Sequence, residues 1–250
     1  MARELNNKVV VITGGAAGIG CEIARRYLQR GAKVTIILDI DEIQGQETAR
    51  NLCTKYGANR AIFMKCDVTT DLETVSKKIF ESFKNVDVLV NNAGILNVQS
   101  SKNTIDVNIQ ALIDWSITFW NHMRKEKNGK GGTILNLASI YGYRVDPYLP
   151  VYQASKFAVM GFTKSLGHQY NYRRTGVRVI AICPGFTETK PITGFKTWDD
   201  EYIAEDFSNF VQKQLWQKVD AVGNVAVEAF ERGNSGTAWL IEGGNPIVEV

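Results

Sequence analysis

Seven short apolar runs, at 9–13, 34–39, 61–66, 88–90, 133–138, 177–182 and 237–241, recur along the chain between longer stretches of helical periodicity. Most of them are continuously apolar rather than alternating, the pattern of parallel strands buried on both faces. Helices are predicted at 18–30, 42–56, 71–83, 104–125 and 151–172. Parallel neighbours need a crossover connection, and right-handed βαβ crossovers place helices on both faces of the sheet. The predicted fold is therefore α/β: a Rossmann-type doubly wound sheet of about seven parallel strands, one domain over 1–250. Gly57, Gly132 and Gly176 are expected between helix ends and the next strands. The stretch 187–216 breaks this rhythm. It holds Pro191, Gly194, acidic Asp199, Asp200 and Glu201, and the aromatics Phe195, Trp198, Tyr202, Phe207, Phe210 and Trp216. It reads as a helical lid inserted before the last helix and strand.

Composition narrows the function classes. Hydrophobic residues make up 44% and charged residues 22%, ordinary globular usage. A net charge of +3 with interspersed signs gives no nucleic-acid footprint. Cys21, Cys53, Cys66 and Cys183 form no CxxC pair, and His122 and His168 sit in no ligand spacing, so no metal is expected. The first strand begins near Lys8, leaving no room for a signal peptide, and no apolar run is long enough for a membrane span. The expectation is a soluble cytoplasmic protein with reduced thiols and no membrane partner.

Between the first strand and first helix lies Thr13-Gly14-Gly15-Ala16-Ala17-Gly18-Ile19-Gly20. Glycines there let backbone N–H groups approach a pyrophosphate, and the helix N-terminus adds partial positive charge. Asp39 ends the second strand, where a carboxylate can accept from ribose hydroxyls and repel a 2′-phosphate. With no Arg or Lys at positions 15 or 40, NAD is favoured over NADP. Asp39 or Asp41 could also cap the helix that follows.

Of the nine tyrosines, Tyr152 alone has a lysine, Lys156, four residues later, on one helical face. A phenol titrates near pH 10; bringing it to about 7 as a general base needs roughly 4 kcal/mol from a nearby ammonium and a nicotinamide cation. Ser139 follows the fifth strand at the edge of the sheet that forms the ligand crevice, where its hydroxyl can polarise a substrate oxygen. Asn91-Asn92-Ala93-Gly94 closes the fourth strand in that crevice. Asn108, inside the next helix, has no propensity advantage there and either bonds backbone or serves chemistry.

The TGxxxGxG turn, Cys66-Asp67-Val68, NNAG, Asn108, Ser139, Tyr-Gln-Ala-Ser-Lys and Pro184-Gly185 occur in an order and spacing that resembles the short-chain dehydrogenase/reductase family. The resemblance spans essentially the whole chain. It implies Tyr152 as acid/base, Lys156 lowering its pKa and holding the ribose, Ser139 orienting the substrate oxygen, and Asn108 completing a water-linked proton relay. It further implies cofactor contacts from Gly14, Gly18, Ile19, Gly20, Asp39, Asp67, Val68, Asn91, Ala93, Gly94, Pro184, Gly185, Phe186, Thr187 and Thr189. Two subgroups look nearest, hydroxyprostaglandin dehydrogenases and insect-type alcohol dehydrogenases. Both resemble the chain in the short link from Gly94 to Asn108, in Pro150-Val151-Tyr152 and in the Gly131-Gly132 pair. Leu149 departs from the prostaglandin pattern, which carries a Gln there, and the intact NNAG departs from the insect one.

The expected substrate wall combines Leu96, Ser139, Tyr143, Leu149 and Tyr152 with lid residues Phe195 and Trp198. Such a pocket suits an apolar secondary alcohol or ketone of lipid, isoprenoid, steroid-like or small aliphatic type. The rival readings are an NADP-dependent carbonyl reductase and a silent dinucleotide-binding sensor or scaffold. Large apolar residues on the helices of Tyr152 (Phe157, Met160, Phe162) and of Asn108 (Trp115, Phe119, Trp120) are either core or a self-association face; the family resemblance implies helix-paired dimers or tetramers, and a homodimer is expected.

Overall fold

The computed structural model describes residues 3–189 and 196–250. In chain order, β1 (Val9–Thr13), α1 (Gly18–Gln29), β2 (Val34–Asp39), α2 (Glu42–Tyr56), β3 (Ala61–Lys65), α3 (Leu72–Ser82) and β4 (Val88–Asn91) form the first half. Next come α4 (Ser101–Ile105), a π-helical segment (Asp106–Ala111), α5 (Leu112–Met123), β5 (Gly132–Leu137), α6 (Pro150–Leu166), α7 (Gln169–Thr175) and β6 (Val177–Pro184). After β7 (Thr187–Glu188) stand α8 (Asp200–Gln212), β8 (Gln217–Lys218), α9 (Val219–Arg232), β9 (Ala238–Ile241) and β10 (Val248–Glu249).

The main sheet runs β3-β2-β1-β4-β5-β6-β9-β10. Its first seven strands are parallel, as the apolar runs predict, and β10 adds an antiparallel edge of two residues. Alternate side chains of β1 feed two separate cores. Val10 and Ile12 pack with α1, α2 and α9, whereas Val9 and Val11 pack with α3 and α5. Strand order reverses between β1 and β4, so the crevice beyond their C-terminal ends is the ligand position of an open doubly wound sheet.

Three boundaries depart from the periodic pattern. The run 151–172 is two helices, because Gly167 lies against the loop before β9; a Cβ there would sit 2.6 Å from Gly236 N. The His168 side chain accepts from Tyr170 N and caps α7, while Asn171 Nδ2 donates to the freed carbonyls of Ser165 and Leu166. Gly57 and Gly176 do close helices, but Gly132 is already the first residue of β5. The run 104–125 starts earlier, at Ser101, capped by Ser100, and is interrupted by the π-helical segment.

Trp115, Phe119, Trp120 and Met160 are core residues; of the aromatics weighed for a dimer face, Phe157 is well exposed, at 43%. The lid is α8, flanked by the short β7–β8 pair. No helix among the described residues is long and apolar enough to cross a membrane, and none of their side chains cluster as a metal site.

Candidate active site

Two neighbouring cavities open beyond the C-terminal ends of the parallel strands, the larger at the β1/β4 crevice and the smaller beyond β5 and β6. The larger, about 440 Å³, is lined by Gly14, Ala16, Asp39, Asp41, Asp67, Val68 and the segment 92–95, among others. Its floor is the glycine turn, where Gly14 (φ 63°) and Gly18 (φ 54°) adopt left-handed backbone that β-carbons oppose. A Cβ on Gly20 would lie 2.3 Å from the Gly14 carbonyl oxygen. The turn is bolted to β4: Asn92 Nδ2 donates to the carbonyls of Thr13 (3.0 Å) and Gly14 (2.8 Å). Thr13 Oγ1 in return accepts from Asn92 N and Ala93 N. Ala17 caps α1 without a side-chain bond, so the first N–H groups of that helix, around Gly18 and Ile19, remain available to an anion.

Asp39 is held at both carboxylate oxygens. Oδ2 accepts from Ala16 N (3.0 Å) and Oδ1 from Asp41 N (3.1 Å), while Asp41 itself caps α2 through Gln44 N. Asp67 Oδ1 accepts from Thr69 N and Oγ1, and the Val68 carbonyl accepts from Trp115 Nε1. Asn91 stands apart from Ala93 and Gly94. Its side chain leaves the large cavity and donates to Ser116 Oγ and Asn136 Oδ1 inside the core. The cradle without β-carbons, the open helix end and the fixed carboxylate together fit a dinucleotide.

The smaller cavity, about 150 Å³, is lined by Ser139 and Tyr152 with Leu96, Leu149, Gly185, Phe186, Thr187, Thr189 and lid residues Phe207 and Trp216. Thr189, in the wall of this cavity, also lies against the glycine turn: its side chain is 3.4 Å from where a Cβ on Gly18 would be. Pro184 closes β6; Gly185 N donates to the Ile241 carbonyl and Gly185 O accepts from Thr187 Oγ1, fixing this turn.

Lys156 is buried, donates from Nζ to the Leu137 carbonyl (2.8 Å) and lies 5.5 Å from the centre of the Tyr152 ring. Burial pushes its pKa down to about 8. Burial pushes the Tyr152 phenol up, with a hydrogen bond to Ser139 pulling the other way. The chain's own residues therefore push the Tyr152 phenol above its ordinary value; the lowering expected of the ammonium and a nicotinamide cation together needs the bound cofactor as well. Asn108, in the π-helical segment, accepts from Ile95 N and donates to the Ile95 carbonyl and Ser155 Oγ. Ser155 Oγ donates to the Tyr152 carbonyl (2.6 Å), so Asn108 reaches Tyr152 through one hydroxyl.

The expected substrate wall needs correcting. Tyr143 packs against Val159, Met160 and Cys183 in a separate core cluster, because the 3-10 turn capped by Ser139 turns its ring away. Trp198 is 58% exposed and bonds the Pro147 carbonyl at the rim. Phe195 lies outside the described residues. Tyr141 lines the cavity instead, and Ser155, between Tyr152 and Lys156, is a further residue of the site that the sequence pattern does not single out.

A nucleotide cradle joined to a pocket floored by tyrosine and serine defines an oxidoreductase of the short-chain dehydrogenase family, and residues 8–200 match the short chain dehydrogenase family; this chain belongs to it. It is 36% identical over 188 residues to the NAD(+) enzyme 15-hydroxyprostaglandin dehydrogenase of Macaca fascicularis, and 35% identical over 188 residues to that of Homo sapiens. Each match spans 74% of this chain and 70% of the relative. Among solved structures, a protein assigned as a short-chain alcohol dehydrogenase from Sinorhizobium meliloti 1021 superposes with a TM-score of 0.79 at 26% identity, covering 96% of this chain and 97% of its own. L-sorbose reductase from Gluconobacter frateurii, solved with NADPH and L-sorbose, has the same fold: TM-score 0.79, 24% identity and 98% coverage of both chains.

Proposed function

We propose that the chain is an NAD-dependent alcohol dehydrogenase that moves a hydride between the cofactor and an apolar secondary alcohol or ketone. The observation that carries the cofactor choice is the wall of the larger cavity, where Asp39, Asp41 and Asp67 stand and, among the described residues, no lysine or arginine does. A 2′-phosphate would meet like charge there with no cation to offset it.

A bound nicotinamide supplies or accepts the hydride. Ser139 and Tyr152 direct their hydroxyls to one oxygen of the substrate; Tyr152 gives the proton to a forming alkoxide or takes it from the alcohol. Lys156, whose pKa near 8 leaves it mostly charged at neutral pH, sits behind Tyr152 and stabilises negative charge that develops on the phenol. Asn108 and Ser155 hold the helix turn that carries Tyr152. The walls of Leu96, Leu149, Phe186, Phe207 and Trp216 exclude water and favour an apolar body. Exposed Ile105, Ile117 and Phe157 on α4, α5 and α6 support pairing of two copies through these helices, which light scattering at micromolar concentration tests.

The decisive experiment is a panel of aliphatic, isoprenoid, steroid and prostanoid alcohols with NAD or NADP, read at the NADH absorbance band. Turnover with NAD that Tyr152→Phe abolishes, with NADH binding retained, is the expected result. Preference for NADP in the wild type, or full activity of the Phe variant, overturns the reading.

A further inference from the structure

The turn after β6 lines the smaller cavity, beside Ser139 and Tyr152, through Gly185, Phe186, Thr187 and Thr189. At its far end Thr189 lies against the glycine turn. It therefore runs between the dinucleotide cradle and the reacting hydroxyls. For a hydride to pass to a carbon whose oxygen Tyr152 holds, the nicotinamide ring has to lie beside this turn. Little regular structure stiffens it: β7 is two residues paired in parallel with the two of β8, too short a pair to hold its own geometry.

What holds the turn is Gln217, the first residue of β8, 5% exposed and directly after Trp216 of the cavity wall. Its backbone N–H donates to the Phe186 carbonyl (3.0 Å). Its side-chain Nε2 donates to Thr187 Oγ1 (3.2 Å) and to the Ile241 carbonyl at the end of β9 (3.0 Å), while Oε1 accepts from Gly244 N (3.3 Å). The Ile241 carbonyl also accepts from Gly185 N. Since Thr187 Oγ1 accepts from Gln217, its single proton goes to the Gly185 carbonyl (2.9 Å) and the hydroxyl is fixed in orientation. In the β7–β8 register the N–H and C=O of Thr187 itself point away from β8. One donor and one acceptor side by side complement a primary carboxamide, which carries both.

We propose that Gln217 is a positioning residue for the nicotinamide end of the cofactor, acting through Thr187 by locking the turn onto β9. This deepens the proposed function and rests on it. The side chain is matched to the task. Glutamate, of the same size, has no N–H for Thr187 or Ile241, and methionine, of nearly the same length, offers neither the donors nor the carbonyl.

The test is calorimetric binding of NADH beside ADP-ribose, which keeps the adenosine, both phosphates and the second ribose but lacks nicotinamide. Wild-type protein is expected to prefer NADH. Gln217→Met and Gln217→Glu should each cut that preference about 10-fold, the range for one buried polar group left unpaired, with ADP-ribose affinity within about twofold of wild type. Thr187→Val should do the same and Thr187→Ser, which keeps the hydroxyl, should not. The Gln217→Met/Thr187→Val double variant should lose no more than either single one, because one residue works through the other. Equal loss of both ligands, loss of neither, or additive losses in the double variant overturns the positioning role and leaves the cofactor reading standing. Wild-type protein that binds NADH no more tightly than ADP-ribose removes nicotinamide from this turn, and the proposed function falls together with the inference.

Discussion

Asn108 grips Ile95 by both backbone polar groups: Oδ1 accepts its N–H at 2.8 Å and Nδ2 donates to its carbonyl at 2.9 Å. Ile95 directly follows Gly94, which lines the larger cavity, and precedes Leu96, which lines the smaller. One side chain therefore sets where the two spaces join. Asn108→Ala strands two backbone groups, and the expected cost is about 2–4 kcal/mol. Urea melts should register that loss. Turnover should fall at least tenfold at temperatures where the variant is still folded.

Asp39 carries the choice of nucleotide. Asp39→Ala removes the carboxylate facing the adenosine end while leaving Asp41 to cap α2. The ratio of kcat/KM for NADP over NAD should rise by about 10- to 100-fold, as expected when a half-buried like-charge contact is relieved. Initial rates with both nucleotides measure it, and an unchanged ratio would place the discrimination elsewhere.

Lys156 is expected to weaken the ligand-free fold. Its folded pKa of about 8 lies below the unfolded value of 10.5, so the unfolded chain binds more protons between those limits. Stability should therefore rise with pH from about 8 to about 10.5, and the full penalty applies below 8. Lys156→Met removes the charge but strands the Leu137 carbonyl, for a net gain of roughly 1–3 kcal/mol at pH 7. Denaturant melts at pH 7 and pH 10 separate the cases, because the gain should fade or reverse at the higher pH.

Arg178, 1% exposed within β6, pairs with no carboxylate among the described residues. It donates to the Phe230 and Gly233 carbonyls at the end of α9 and to Thr133 Oγ1, with Phe230 under its guanidinium. The positive charge meets the negative end of the helix dipole. Arg178→Ala should cost about 3 kcal/mol and lower Tm by roughly 6–12 °C without changing KM for NAD. Calorimetry and NAD kinetics at 25 °C together check both halves.

The parallel sheet and the Tyr152–Lys156–Ser139 group were readable because each depends on local pattern: apolar runs, an i,i+4 pair, a strand end. Residues just beyond strand ends were harder. The motif groups Asn91 with its neighbours in the cofactor crevice, yet strand alternation places it on the α5 side with Leu89, leaving Asn92 to hold the turn. Tyr141 and Tyr143 are two residues apart, and the turn between them sends one ring into the pocket and the other into the core. Only that turn's geometry decides between them. Likewise, a two-residue edge such as β10 is too short for any periodicity to register.

The π-helical stretch from Asp106 to Ala111 accommodates one more residue per turn than its flanking helices do. Removing one residue there would let an unbroken α-helix form, and each downstream side chain could keep its berth in the core. Asn108 would instead swing off the loop it clasps. Folding and catalytic competence thus part company at a single backbone insertion, so a shortened chain of this kind should persist in the cell as an intact but idle protein.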